Sequence, residues 1–260
     1  MIYLCAAPKE LSPARQAFAH IAHAACHIDR NSRLLTSLSQ ECANEDLLLL
    51  TGDPQSSFSH PDGLCRAIKE LCLKSGLQGI AVDLLPPASE NTFRFLSHLQ
   101  QMCSSAGFDL FVPEDFTSHL PEATAVVCTA MSGGIFTKRL EEAIDRFGRG
   151  HIALDIQRLM MDFPIPAPDG IGTPLSHTEF KELFVSLRPA VFFSRELCAK
   201  YFLCRRHGQL HLILFDDLST LLEKIRIGKS MGISHFFFSY PEISDILGAL
   251  SLAVSKEKTL

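Results

Sequence analysis

The chain has 260 residues, 47% of them hydrophobic, and a formal net charge of −5. Length and apolar content suit one domain over residues 1–260, since α/β barrels run to about 250 residues as a unit. The longest cationic run, Arg205-Arg206-His207, is too short for a nucleic-acid stripe, and no apolar stretch approaches the ~20 residues of a membrane span.

The first residues, Met1-Ile2-Tyr3-Leu4-Cys5, read as a strand and not as a basic segment followed by an apolar one, so the cytoplasm is the expected location. In chain order, strands are expected at Ile2–Ala6, Ala22–Ile28, Leu47–Thr51, Gly79–Leu84, Phe108–Val112, Thr124–Ala130, His151–Ile156 and His235–Ser239. Most are continuous apolar runs, as parallel strands covered on both faces require. Ala22–Ala25 reads equally as a continuation of the preceding helix. Leu64, Cys65, Ile68, Leu71 and Cys72 share one helical stripe. Leu218, Leu221, Leu222 and Ile225 share another, behind Asp216 and Asp217, either of which suits an N-cap.

Eight βα repeats at this length favour an α/β fold of the (β/α)8 TIM-barrel type, with an open doubly wound sheet as the alternative. Residues 160–215 break the rhythm. A Pro- and Gly-rich stretch, Met160–Thr173, precedes a helix near His177–Leu187. Apolar runs follow near Val191–Leu203 and Leu210–Phe215, with His207-Gly208 near a turn. This predicts a small antiparallel insertion between strand seven and helix seven.

The nine cysteines show no CxxC spacing and several sit in apolar runs, the pattern of buried thiols and not of a disulfide frame or zinc site. His20, His23 and His27 would share a face only if the first helix continued through them. Ordinary packing is the expectation, with no metal and no cofactor. Ser132-Gly133-Gly134 reads as a tight turn, or as an anion cradle at a helix N-terminus.

The segment His211-Leu212-Ile213-Leu214-Phe215-Asp216-Asp217-Leu218-Ser219, then Lys224, then Gly232-Ile233-Ser234-His235-Phe236-Phe237-Phe238, resembles the end of glycoside hydrolase family 18. It is most similar to the branch acting on spore-cortex peptidoglycan. Gln78-Gly79-Ile80-Ala81-Val82-Asp83-Leu84-Leu85 is similar to that family's fourth strand. There Gly79 and Asp83 match, Gln78 and Ala81 replace supporting acids, and Leu85 stands at the position of the proton donor. Met131 alone agrees with the sixth-strand motif, and Ser239 stands where the family places a Trp, a residue this chain lacks.

The resemblance implies substrate-assisted hydrolysis of N-acetylhexosamine glycans, in which a Glu protonates the leaving oxygen. Leucine cannot donate that proton. Asp83 lies about 6.6 Å lower on the same side of the strand, at ~3.3 Å per residue. The expectation is therefore a catalytically degenerate barrel that binds an amino-sugar glycan or a protein partner. The alternatives are a hydrolase with a relocated acid/base pair and a cytosolic interaction module. Analogy with the cortex branch suggests association with a forespore.

Candidate catalytic residues are Asp83, Glu114 and Asp155. Candidate ligand contacts are Asp53, Asp83, Glu114, Met131, Asp155, Tyr240 and Glu242, most of them just after strands, on the face where barrels build their sites. Each acid has a plainer reading: Asp83 as a satisfied strand-end group, and Asp155 as the ion-pair partner of Arg158.

Overall fold

The computed structural model describes residues 1–38, 42–86, 88–166, 170–206 and 208–257. β1 (Ile2–Ala6), α1 (Leu11–Ala17) and β2 (His20–Ile28) open the fold. β3 (Leu34–Thr36) returns antiparallel along β2, and β4 (Leu47–Gly52) restores the parallel direction. Then come α2 (Pro61–Ser75), β5 (Gly79–Asp83), α3 (Glu90–Ala106), β6 (Asp109–Pro113), β7 (Thr124–Cys128), α4 (Phe136–Phe147) and β8 (Ile152–Asp155). Next are β9 (Met160–Ile165), β10 (Thr173–Pro174), α5 (His177–Leu187), β11 (Phe192–Ser194), β12 (Ala199–Arg206) and β13 (Gln209–Phe215). α6 (Leu218–Ser230), β14 (His235–Ser239), α7 (Tyr240–Ile243) and α8 (Leu247–Glu257) follow.

All eight strands expected from the sequence are present. They run parallel in the order β1-β2-β4-β5-β6-β7-β8-β14, and β14 pairs back onto β1. The sheet is a closed (β/α)8-type barrel and not an open one. Alternation within each strand then assigns the side chains. Tyr3, Ala22, Leu47, Ala81, Phe111, Ala153 and Phe237 fill the interior. Their neighbours Leu4, Val127, Leu154, Phe236 and Phe238 pack outward in one half, and Leu48, Leu50, Ile80 and Val82 in the other. α2 meets that second half with the expected stripe of Leu64, Cys65, Ile68 and Cys72. At Gly79 a Cβ would lie 2.5 Å from the Asp109 carbonyl oxygen, so only glycine allows β5 and β6 to approach as they do.

Two connections depart from the βα repeat. Between β2 and β4 stands the β3 hairpin, because Asp29–Arg33 is polar throughout and Asp29 turns the chain by accepting the Asn31 and Arg33 N–H groups. Between β6 and β7 only a 3-10 segment, Glu114–His119, intervenes. The second strand begins at His20, and the helical continuation is ruled out there. The fully buried Asp46 accepts the Ile21 N–H at 2.9 Å, takes the Ala43 N–H, and pairs with Arg15 and with His23 at 2.8 Å. Burial alone would raise the pKa of Asp46, but the His23 and Arg15 contacts hold it well below the usual carboxylate range. On a strand, His20, His23 and His27 lose their common face. His23 serves Asp46 and His27 meets the Thr51 hydroxyl at 2.9 Å.

The insertion is a five-stranded antiparallel sheet in the order β10-β9-β13-β12-β11. One face carries α5 through Phe180 and Phe184 on Phe202 and Phe215, and the other packs Leu159, Phe163 and Leu214 toward Ala130 at the barrel. The run expected as one segment, Val191–Leu203, is two strands, broken at a turn in which Cys198 has φ 51°. Arg206 pairs with Gln209 across the β12–β13 hairpin, and Gly208 takes φ 82°; His207 lies outside the described residues.

The two acids before α6 have different jobs. Asp217 is the N-cap, accepting the Ser219 and Thr220 N–H groups. Asp216 is not a cap. It is fully buried and accepts Lys224 Nζ at 2.6 Å, the Thr220 hydroxyl at 2.7 Å and the Leu159 N–H at 3.1 Å, tying α6 to the start of the insertion. Removing one partner of a buried pair strands the other charge, at a cost of about 3–5 kcal/mol. Lys224→Met should therefore lower the unfolding free energy by roughly that amount in urea titration, far more than an exposed Lys→Met change.

Candidate functional site

At the C-terminal ends of the strands, closure turns one residue from each of several strands toward the axis. Cys5 on β1 lies beside Ser239 on β14, and Cys128 on β7 beside Asp155 on β8. These four, with Asp83 on β5, surround a cavity of about 380 Å³. Phe237, Leu49 and Ala81 form its apolar floor, and Glu114, Asp115, Gln157 and Glu242 reach it from the segments that follow the strands. Phe237 is held flat by stacking on Tyr3 at 5.2 Å and by the edge of Phe111 at 5.2 Å. Leu85 is 63% exposed and lines the wall.

Four sequence candidates thus converge: Asp83, Glu114, Asp155 and Glu242. Three do not line the cavity. Asp53 closes its own turn on the Gln55 N–H and pairs with Arg30. Met131 and Tyr240 pack against the outer core. The sequence reading placed Ser239 at the mouth but missed Cys5, Cys128, Gln157 and Phe237. Strand parity would have found Cys5, Cys128 and Phe237, since each shares the inward face with a candidate acid or its neighbour.

The acids differ in environment. Glu114 is paired with Arg139. Asp155 is not paired with Arg158. Its Oδ2 instead accepts the Gln157 amide at 2.7 Å. Burial, then the nearby charges of Glu242 and Asp83, outweigh that amide and push the Asp155 carboxyl up to about 6. Burial also raises Glu242, against the partial relief of the Arg158 N–H on its Oε2 at 2.9 Å and of the Arg158 charge. Asp83 is exposed to the cavity, is raised by desolvation, and meets no hydrogen-bond donor among the described residues.

Arg158 faces away and organises the rim. Its Nη1 donates to the Glu242 carbonyl at 3.2 Å, to Asp245 at 2.6 Å and to His177 at 2.6 Å, and its Nε to the Asp216 carbonyl at 3.4 Å. One guanidinium thereby fixes α7, which carries Glu242, against the insertion. The Ser132-Gly133-Gly134 loop is a turn with Gly134 at φ 84°. The Phe136 N–H beyond it is taken by the Glu196 carbonyl at 2.7 Å, which removes one donor an anion would need. Among the described residues no group of three or more His, Cys, Asp or Glu side chains is placed to hold a metal, and no helix is long and apolar enough to cross a membrane.

The closed eight-stranded barrel with its antiparallel insertion has the fold of solved glycoside hydrolase family 18 chitinases. The structural likeness extends over nearly the whole chain. A chitinase from Chromobacterium violaceum superposes with a TM-score of 0.69 at 14% identity, covering 97% of this chain and 99% of that one. The spore cortex-lytic enzyme SleL of Bacillus megaterium gives 0.66 at 14% identity, covering 98% and 73%. A family GH18 chitinase from Cycas revoluta, solved with allosamidin, gives 0.65 at 13%, covering 98% and 99%. At these identities the likeness is one of fold. No protein-family model matches the sequence, and no curated protein matches it in sequence.

The raised Asp155 has a consequence for stability. An unfolded aspartate ionises near 3.8, whereas the folded one holds its proton to about 6. Stability from this group is full below pH 4 and falls as pH rises between those values, because the unfolded chain loses the proton first. Asp155→Asn mimics the protonated form. At pH 8 it should be more stable than the parent by on the order of 1–2 kcal/mol, after allowance for water in the cavity, and equal to it near pH 3.5. Thermal denaturation across that range checks this.

Proposed function

We propose that the barrel mouth binds a hexosamine glycan and does not hydrolyse it by the substrate-assisted route of family 18. The observation that carries this reading is Leu85, exposed on the cavity wall beyond Asp83, where the resemblance places the acid. A leaving oxygen held there would face hydrocarbon. What remains suits binding: an apolar floor at Phe237, and carboxylates, an amide and a hydroxyl around it for sugar hydroxyls. The fold shared with chitinases and a cortex-lytic enzyme supports an amino sugar as the ligand, and the cortex-lytic neighbour supports a role in sporulation.

A second reading, hydrolysis with a relocated acid, is favoured by Asp155. A carboxyl titrating near 6 is suited to general-acid work close to neutral pH, and ionised Asp83 or Glu242 would be its counterpart. The interaction-module reading loses its main support because the mouth is an open cavity and not a plug of side chains.

One experiment separates the two glycan readings. Hexosamine oligomers, acetylated and free-amine, and cortex peptidoglycan fragments are offered to the protein, with binding followed by calorimetry and new reducing ends by chemical assay. Binding without turnover is expected. Turnover abolished by Asp155→Asn or Asp83→Asn would replace the first reading with the second, and absence of binding to every glycan would end both.

A further inference from the structure

Outside the mouth, each buried acid among the described residues has a cation beside it. Asp46 has Arg15 and His23, Asp162 has Arg206 and His211, and Asp216 has Lys224. The cavity breaks this pattern. Among the described residues no lysine, arginine or histidine lines it, while five carboxylates do. Arg139 answers Glu114, and Arg158 turns its guanidinium outward to Asp245. The excess of negative charge therefore points into an apolar-floored cavity large enough for a sugar ring, and the cation that would balance it has to arrive with the ligand.

We propose that the ligand of this cavity carries a free ammonium group: an N-deacetylated hexosamine, taken in preference to its N-acetylated form and to sugars bearing carboxylate or sulfate. This rests on the glycan-binding reading and narrows it. A primary ammonium offers three donors. Asp83 has no donor on it, and one oxygen of Asp155 and one of Glu242 receive none from the described residues. An acetamido group would leave the like charges uncompensated, and an anionic substituent would add to them. Phe237 and Leu49 supply the apolar contact that separates a sugar from a bare cation.

Charge linkage gives the reading a signature. An ammonium favours the ionised form of the carboxyls it meets, so binding expels protons that Asp155, Asp83 and Glu242 would otherwise retain. Cys5 and Cys128 also face the cavity, but burial raises both thiols, which stay neutral across the range of interest. Glu114 is held by Arg139, and Asp115 is the remaining charged group on the lining. Affinity should therefore fall as the solution is acidified through pH 6.

The test is calorimetric titration of the whole protein with the tetramer of glucosamine, the tetramer of N-acetylglucosamine, and spermidine. At pH 7.5 the free-amine tetramer is expected to bind at least tenfold more tightly than the acetylated one, and to weaken about tenfold by pH 5. At pH 6, where the Asp155 carboxyl is about half protonated, buffers of different ionisation enthalpy should report proton release. Glu242→Gln, which keeps an acceptor for the Arg158 N–H, and Asp155→Asn should each reduce that preference while leaving the circular dichroism spectrum unchanged. Tighter binding of the acetylated tetramer would overturn the inference and leave the glycan reading standing. Binding of neither tetramer would overturn the inference, and the glycan reading would fall with it only if cortex peptidoglycan fragments also failed to bind. Spermidine binding as tight as that of the free-amine tetramer would overturn the inference as well, since the site would then read charge alone.

Discussion

Closure of the parallel sheet through the β1–β14 pairing is the constraint from which the rest follows. Once Ile2–Cys5 is in register with Phe236–Ser239, every strand has a fixed inner and outer face, and a residue's position in its strand decides what it does. The inner face is aromatic and aliphatic low in the barrel, at Tyr3, Phe111 and Phe237, and polar at the top, at Asp83, Asp155 and Ser239. The lower layer excludes water and stiffens the strands. The upper layer inherits a shallow, partly dry compartment in which carboxylates repel one another. Chemistry at the mouth is a consequence of where the plug of side chains stops.

Much of this was legible in the sequence. Eight strands were visible because parallel strands covered on both faces must be apolar throughout, and the insertion because Met160–Thr173 interrupts the alternation with proline and glycine. The helix at His177–Leu187 was found to the residue. What was not legible depends on partners distant in sequence. His20–Ile28 is helix or strand by local pattern, and is a strand because Asp46, 25 residues on from Ile21, captures its backbone. Asp155 sits three residues from Arg158, and sequence proximity suggested a pair. Asp155 turns into the barrel, while Arg158, beyond the strand end, turns out to Asp245. Proximity in sequence is a poor guide where alternation sends neighbours to opposite sides.

The resemblance to family 18 was likewise informative in the parts that stabilise the fold. The Phe215-Asp216-Asp217 run with Lys224 matches because a buried Asp216–Lys224 pair and an Asp217 cap join the insertion, α6 and the barrel, whatever the mouth does. Gly79 matches because β5 and β6 admit no side chain there. Of the positions that differ, Ala81, Leu85 and Ser239 face the cavity or its wall, whereas Gln78 does not. The likeness is one of fold, and it carries no chemistry with it.

With a leucine at position 85 the mouth is still rich in carboxylates, because they stand on several elements: Asp155 on β8, Glu242 on α7, Glu114 after β6. Glu242 is there because Arg158 clamps α7 with contacts to its carbonyl, to Asp245 and to His177 of the insertion. The insertion and the mouth are therefore mechanically joined through one guanidinium. Retention of uncompensated acids is costly to the folded state, and it is consistent with a compartment whose electrostatics are completed by what enters it.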